Sequence, residues 1–114
     1  MAFNKERDVK GSKNYEVLYP LHEIDSFNGE ELRKYITASV DQFDVIIIDF
    51  TEVVYLNSSG IRELIQIMKF TMEHNKELYL VHLSEDIMKI FIHTNLDRLF
   101  TFYGTLAEAL VAIN

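Results

Sequence analysis

Apolar positions along this chain change spacing several times, and each change marks an element. Asp44 to Phe50 reads Asp-Val-Ile-Ile-Ile-Asp-Phe. A β-branched run that is apolar at successive positions suits a strand buried on both faces, as in a parallel sheet covered by helices. Ahead of it, Leu32, Tyr35, Ile36, Val40 and Phe43 recur at helical spacing, and Asn28 with Glu31 forms a capping-box-like opening for that helix. After it, Ile61, Leu64, Ile65, Met68 and Met72 fall on one face of a second helix, which the polar stretch Glu73 to Lys76 ends.

Glu77 to Leu83 reads as the next apolar strand. Ser84 is a helix N-cap, with Glu85 and Asp86 where the helix dipole favours negative charge. Ile87, Ile90 and Phe91 form that helix's buried stripe, and Asn95 stops it. A short aromatic strand follows at Phe100 to Tyr103, Gly104 turns the chain, and Thr105 with Glu108 opens a last helix ending near Ile113. At the other end, Gly11-Ser12-Lys13-Asn14 separates a short charged segment, Arg7 to Lys10, from Tyr15 to Tyr19, which predicts an N-terminal hairpin. The order β-β-α-β-α-β-α-β-α implies right-handed crossovers onto a mostly parallel sheet. The expected architecture is a small α/β sandwich with a four- to five-stranded mixed sheet and about four helices. One domain spans residues 1–114, with residues 1–5 as a flexible start.

Composition narrows the chemistry. Eleven basic against eighteen acidic side chains leave a net charge of −7, the wrong balance for a surface that binds phosphate backbones. The chain has no cysteine, which removes disulfides, thiolate metal sites and cysteine nucleophiles and fits a reducing cytoplasm. No signal core follows Met1, and no apolar run approaches the roughly 20 residues of a membrane span, so no membrane insertion is expected. His22, His74, His82 and His93 lack metal-ligand spacing. There is no Gly-x-Ser-x-Gly elbow, Walker loop or Gly-x-Gly-x-x-Gly turn. Neither an enzyme nor a cofactor or metal site is expected.

In open α/β sheets, functional groups gather where strands lead into helix N-termini. The strand ending at Phe50 leads to Asn57-Ser58-Ser59-Gly60, whose small residues suit a helix cap and whose glycine permits close backbone approach. Read alone, these residues describe a cap. Asp49 and Thr51 bracket the strand end, able to bond this loop or simply to satisfy nearby backbone groups.

The segment Asp-Phe-Thr-Glu-Val-Val-Tyr-Leu-Asn-Ser-Ser-Gly-Ile, residues 49–61, followed by an amphipathic helix, resembles the STAS family of bacterial anti-sigma factor antagonists. His22-Glu23-Ile24-Asp25 stands where members show Gly-Glu-Leu-Asp. Asn95 to Phe100 is similar to their Gly-Leu-Asp-Arg-Leu-Phe, and Leu-Ala-Glu-Ala-Leu follows at residues 106–110. The ordered likeness covers about residues 15–112. It implies a non-enzymatic cytoplasmic switch. Members bind an anti-sigma factor that is also a serine kinase; phosphorylation of the serine after the motif's acidic residue blocks binding, and a serine phosphatase restores it. That serine corresponds to Ser58, with Ser59 as second choice. The implied partner surface comprises Asp25, Asn57, Ser58, Ser59, Gly60, Ile61 and Arg62, with Asp25 either orienting the loop or acting as a turn or cap residue.

Two positions depart from the family pattern. Asn57 replaces the acidic residue, and Ile61-Arg62 replaces a small Leu-Gly type pair, setting a cation beside the loop. Arg62 could meet a phosphate, an acidic partner, or only an exposed ion-pair neighbour. Asn57 gives weight to an alternative: a never-phosphorylated STAS-like subunit docking in a transport or signalling complex, such as a lipid-transport ATPase. A small-ligand sensor at the sheet end is a third reading, without a binding fingerprint.

Overall fold

The chain opens with a hairpin in the computed structural model, which describes residues 3–113. Strands β1 (Phe3–Lys10) and β2 (Lys13–Pro20) pair antiparallel from Phe3 opposite Pro20 to Lys10 opposite Lys13. The first strand is longer than the Arg7 to Lys10 segment expected, and residues 3–5 belong to it rather than to a flexible start; residues 1 and 2 lie outside the described residues. Its burial pattern explains why it is hard to read: Phe3 sits in the core while residues 4–9 are exposed, as on a sheet edge. Mixed charges at Lys5, Glu6, Arg7 and Asp8 are the kind that keep such an edge from pairing with other chains.

Next come β3 (His22–Ile24), α1 (Ser26–Ser39), a 3-10 turn at Val40–Gln42, β4 (Val45–Asp49) and β5 (Val53–Leu56). Helix α2 (Ser58–Glu73), β6 (Glu77–Val81), α3 (Glu85–His93), a 3-10 turn at Leu96–Arg98, β7 (Thr101–Tyr103) and α4 (Leu106–Ala112) complete the chain. The main sheet has five strands in the order β1-β2-β4-β6-β7, parallel throughout except for β1. A separate two-stranded parallel sheet, β3 with β5, was not expected. The expected α/β sandwich with a mostly parallel mixed sheet and four helices is the fold observed.

Strand β4 is buried along its whole length because both faces of the sheet are covered. Ile46 and Ile48, with Leu78 and Leu80 of β6, pack under residues of α1, α2 and α3 such as Ile36, Leu64 and Phe91. Val45 and Ile47, with Tyr79 and Val81, face the other way, toward Ala109 and Ile113. Alternate residues of one strand thus serve two cores, and truncating any of these large side chains to alanine costs about 2–5 kcal/mol.

Among the described residues, four polar or charged ones are buried, Glu16, Ser39, Asp49 and Thr71. Glu16 of β2 is 1% exposed, and its Oε2 accepts from Arg7 Nε at 2.9 Å and from the Tyr35 hydroxyl at 2.8 Å. Hydrogen bonds to Tyr35 and then Glu16 raise the Arg7 guanidinium above its usual range. No helix among the described residues is long and apolar enough to cross a membrane.

Candidate functional site

The site is built on the small parallel sheet. Ile24, the last residue of β3, is in register with Leu56, the last residue of β5. Each strand runs into a helix after one intervening residue, Asp25 before α1 and Asn57 before α2. Two helix N-termini therefore begin side by side.

Both intervening residues are extended and both cap their helices. Asp25 Oδ1 accepts from the backbone N–H groups of Phe27 at 3.0 Å and Asn28 at 2.9 Å. This corrects the expected opening at Asn28: the cap lies three residues earlier, because β3 delivers the chain to Asp25, and Asn28 instead donates from Nδ2 to the Glu23 carbonyl at 3.2 Å. Asn57 Oδ1 accepts from Gly60 N–H at 2.8 Å. The amide side chain thus performs the capping that an acidic residue would perform, without the charge.

The loop is pinned to β3. Asn57 N–H donates to the Ile24 carbonyl at 3.4 Å. A Cβ at Gly60 would lie 2.1 Å from that same oxygen, so only glycine fits there. Farther along, a Cβ at Gly29 would meet the Glu63 Cβ at 2.8 Å, which brings α1 and α2 into close contact. Arg33 Nε to Glu63 Oε2, at 2.6 Å, ties the two helices across that contact.

Ser58 is the first residue of α2 and is exposed; its hydroxyl has no hydrogen-bonding partner among the described residues. Ser59 is half-buried, Gly60 is buried, and Ile61 packs partly on the core. Arg62 is exposed and forms no ion pair among the described residues. Asp25 is half-buried beside the loop and acts as the α1 cap. Sequence reasoning missed the apolar surroundings: Phe27 is 82% exposed, Val54 69% and Tyr55 53%. The signal for β5 was the unbroken strand-forming set Val53-Val54-Tyr55-Leu56.

Asp49 and Thr51 belong elsewhere. Asp49 Oδ1 accepts from both the backbone N–H and the hydroxyl of Thr51, closing the turn after β4. Its other oxygen lies 3.9 Å from His82 Nε2, which accepts from Leu106 N–H at the start of α4 at 3.2 Å. These residues satisfy local backbone groups and make no bond to residues 57–60. Among the described residues, no group of three or more His, Asp or Glu is placed to hold a metal.

A mixed sheet with helices on both faces, and two capped helix starts abutting at one end, defines a small α/β domain with the unpartnered Ser58 hydroxyl on that end. The chain belongs to the STAS domain family, whose profile matches residues 6–109. Among solved structures, it is similar to an anti-sigma-factor antagonist (STAS) domain protein from Planctomyces limnophilus, at 21% identity and TM-score 0.80, covering 100% of this chain and 99% of that one. An anti-sigma factor antagonist from Mycobacterium paratuberculosis matches at 24% identity and TM-score 0.75, over 96% of this chain and 94% of that one. The phosphorylated form of the Bacillus cell fate determinant SpoIIAA matches at 22% identity and TM-score 0.73, over 99% of this chain and 100% of that one. These likenesses establish the fold.

Proposed function

We propose that this chain is an anti-sigma factor antagonist: unmodified, it docks on an anti-sigma factor that is also a serine kinase, and phosphorylation of Ser58 turns docking off. A serine phosphatase turns it on again. The observation that carries the reading is the exposed, unpartnered Ser58 hydroxyl on the first residue of α2. Family membership supports regulation by binding rather than catalysis, and among the matched structures is one named as a phosphorylated determinant.

Physical chemistry fits such a switch. Ser58 Oγ bonds to the γ-phosphorus of ATP, the bond to ADP breaks, and the hydroxyl proton passes to a base of the kinase. The phosphate adds about −1.5 to −2 charges. At the start of α2 these meet unpaired N–H groups and the positive end of the helix dipole, so the fold tolerates them. In a docked complex the same charges oppose desolvation. The exposed Phe27, Val54 and Tyr55 supply apolar area next to the charge that controls it.

Incubation with the kinase and ATP, followed by mass-spectrometric mapping, tests the assignment. Phosphate on Ser58 and weakened partner binding by Ser58→Asp, with circular dichroism unchanged, are expected. Phosphate only at a distant site, or equal affinity for Ser58→Asp and wild type, overturns the switch. The neutral Asn57 cap favours a second reading, a constitutive docking subunit of a transport or signalling complex. Recovery of a transporter ATPase rather than a kinase on native pull-down would select it.

A further inference from the structure

We propose that Arg62 is a built-in counter-ion for phosphorylated Ser58, closing on the phosphate from one helical turn away. This rests on the reading of Ser58 as phosphoacceptor and adds a device to it.

Arg62 stands in the first turns of α2, exposed to solvent. Its neighbours three and four residues back are Ser59 and Ser58; those three and four residues on are Ile65 and Gln66. Neither direction offers an acid. The adjacent Glu63 is engaged by Arg33 of α1 at 2.6 Å. Arg62 is therefore an exposed cation with no ion pair among the described residues, in a chain whose net charge is −7. Ser58 is likewise exposed and unpartnered.

An anion four residues before a cation is the favourable order for a helical pair. Helical side chains also lean toward the N-terminus, which carries the guanidinium toward position 58 rather than away from it. A phosphate accepts two parallel N–H bonds from guanidinium, a geometry that lysine cannot copy. The acids nearest the loop by register are Glu23, opposite Tyr55, and Asp25, the α1 cap; both act alike on any variant at position 62. Pairing would favour the phosphate's doubly charged form and withdraw from the docking surface the cation that an acidic partner group would meet. One modification would thus add negative charge and cancel positive charge in the same patch.

Phosphoserine installed at position 58 during translation gives a test that needs neither kinase nor partner. Phosphorus NMR follows the second ionisation of the phosphate, near pH ~6 for an unpaired group. Arg62→Gln should raise its midpoint by about half a pH unit, a shift that shrinks as salt is added. Lys69→Gln removes an equal charge seven residues farther along, about 16 Å from position 58 at the α-helical rise, and should leave the midpoint in place. Identical titrations for wild type and Arg62→Gln, or equal shifts from both variants, would overturn the pairing. Whether a kinase chooses Ser58 is decided separately by the phosphate mapping above, so the two readings fail independently.

Discussion

A β-carbon added to Gly60 would lie 2.1 Å from the carbonyl oxygen of Ile24 and 2.7 Å from its carbonyl carbon. The obstacle is backbone of a paired strand, which cannot rotate aside. The requirement at position 60 is for space, since Gly11 is the only glycine with positive φ among the described residues. Gly60→Ala should therefore lift the start of α2 off β3 and destabilise the fold by about 3 kcal/mol, in the range of severe overpacking. Urea unfolding measures this. A loss below about 0.5 kcal/mol, ordinary for a surface change, would show that the two elements are not locked.

Much of the fold was legible because it rests on periodicity. β4 stood out through its unbroken β-branched run, and Ser84 and Thr105 cap α3 and α4 as their spacing implies, accepting from Ile87 N–H and Glu108 N–H. Asn95, at φ 61°, adopts the left-handed conformation that ends α3. The misses have physical causes. β3 and β5 are three and four residues long, too short to show a period. The buried face of α2 runs through Leu64, Ile67, Met68 and Thr71, whereas Met72, expected inside, is 66% exposed. Thr71 tolerates burial because its hydroxyl donates to the Met68 carbonyl at 2.9 Å. At the site, a helix cap at residues 57–60 was legible from its small polar residues, but its place beside the Asp25 cap was not, because that depends on which strand ends lie together.

The Asn57 cap can be tested by two substitutions that differ in what they keep of its acceptor. Asn57→Ala removes the acceptor for Gly60 N–H and should cost about 1 kcal/mol, while Asn57→Asp should stay within a few tenths of wild type because the two caps are nearly equivalent. Thermal or urea unfolding of both variants decides this. Equal losses for the two would mean that capping is not what the Asn57 side chain contributes.

The buried Glu16 carboxylate offers a test of core polarity. Tyr35 donates to it at 2.8 Å, and Tyr35→Phe deletes that donor while keeping the ring that packs against Phe3 at 5.2 Å between centroids. Arg7 Nε still holds the same oxygen at 2.9 Å, so the carboxylate is left partly satisfied rather than orphaned. A loss of about 1.5–3 kcal/mol is expected, typical of a hydrogen bond to a charged group. No change in the unfolding midpoint would show that Arg7 alone meets the need of Glu16.

The face of the sheet under α4 should make stability fall in alkali. Tyr15, Tyr19 and Tyr79 are all held above their ordinary titration range, first by burial and then by nearby acids: Asp8 and Glu6 for Tyr15, Glu6 and Asp49 for Tyr19, and Glu77 for Tyr79. The folded protein thus keeps these phenol protons at pH values where the unfolded chain has begun to release them. Stability tracks the proton difference, so the contribution is fully present below about pH 10 and is lost as pH rises through the folded-state values. Urea midpoints should be flat on this account at neutral pH and drop above about pH 10, with a shallower drop in Tyr79→Phe. Ultraviolet titration of tyrosinate gives the direct check: the folded protein should ionise at higher pH than the same chain in urea. Coincident titration curves in the two states would remove the mechanism.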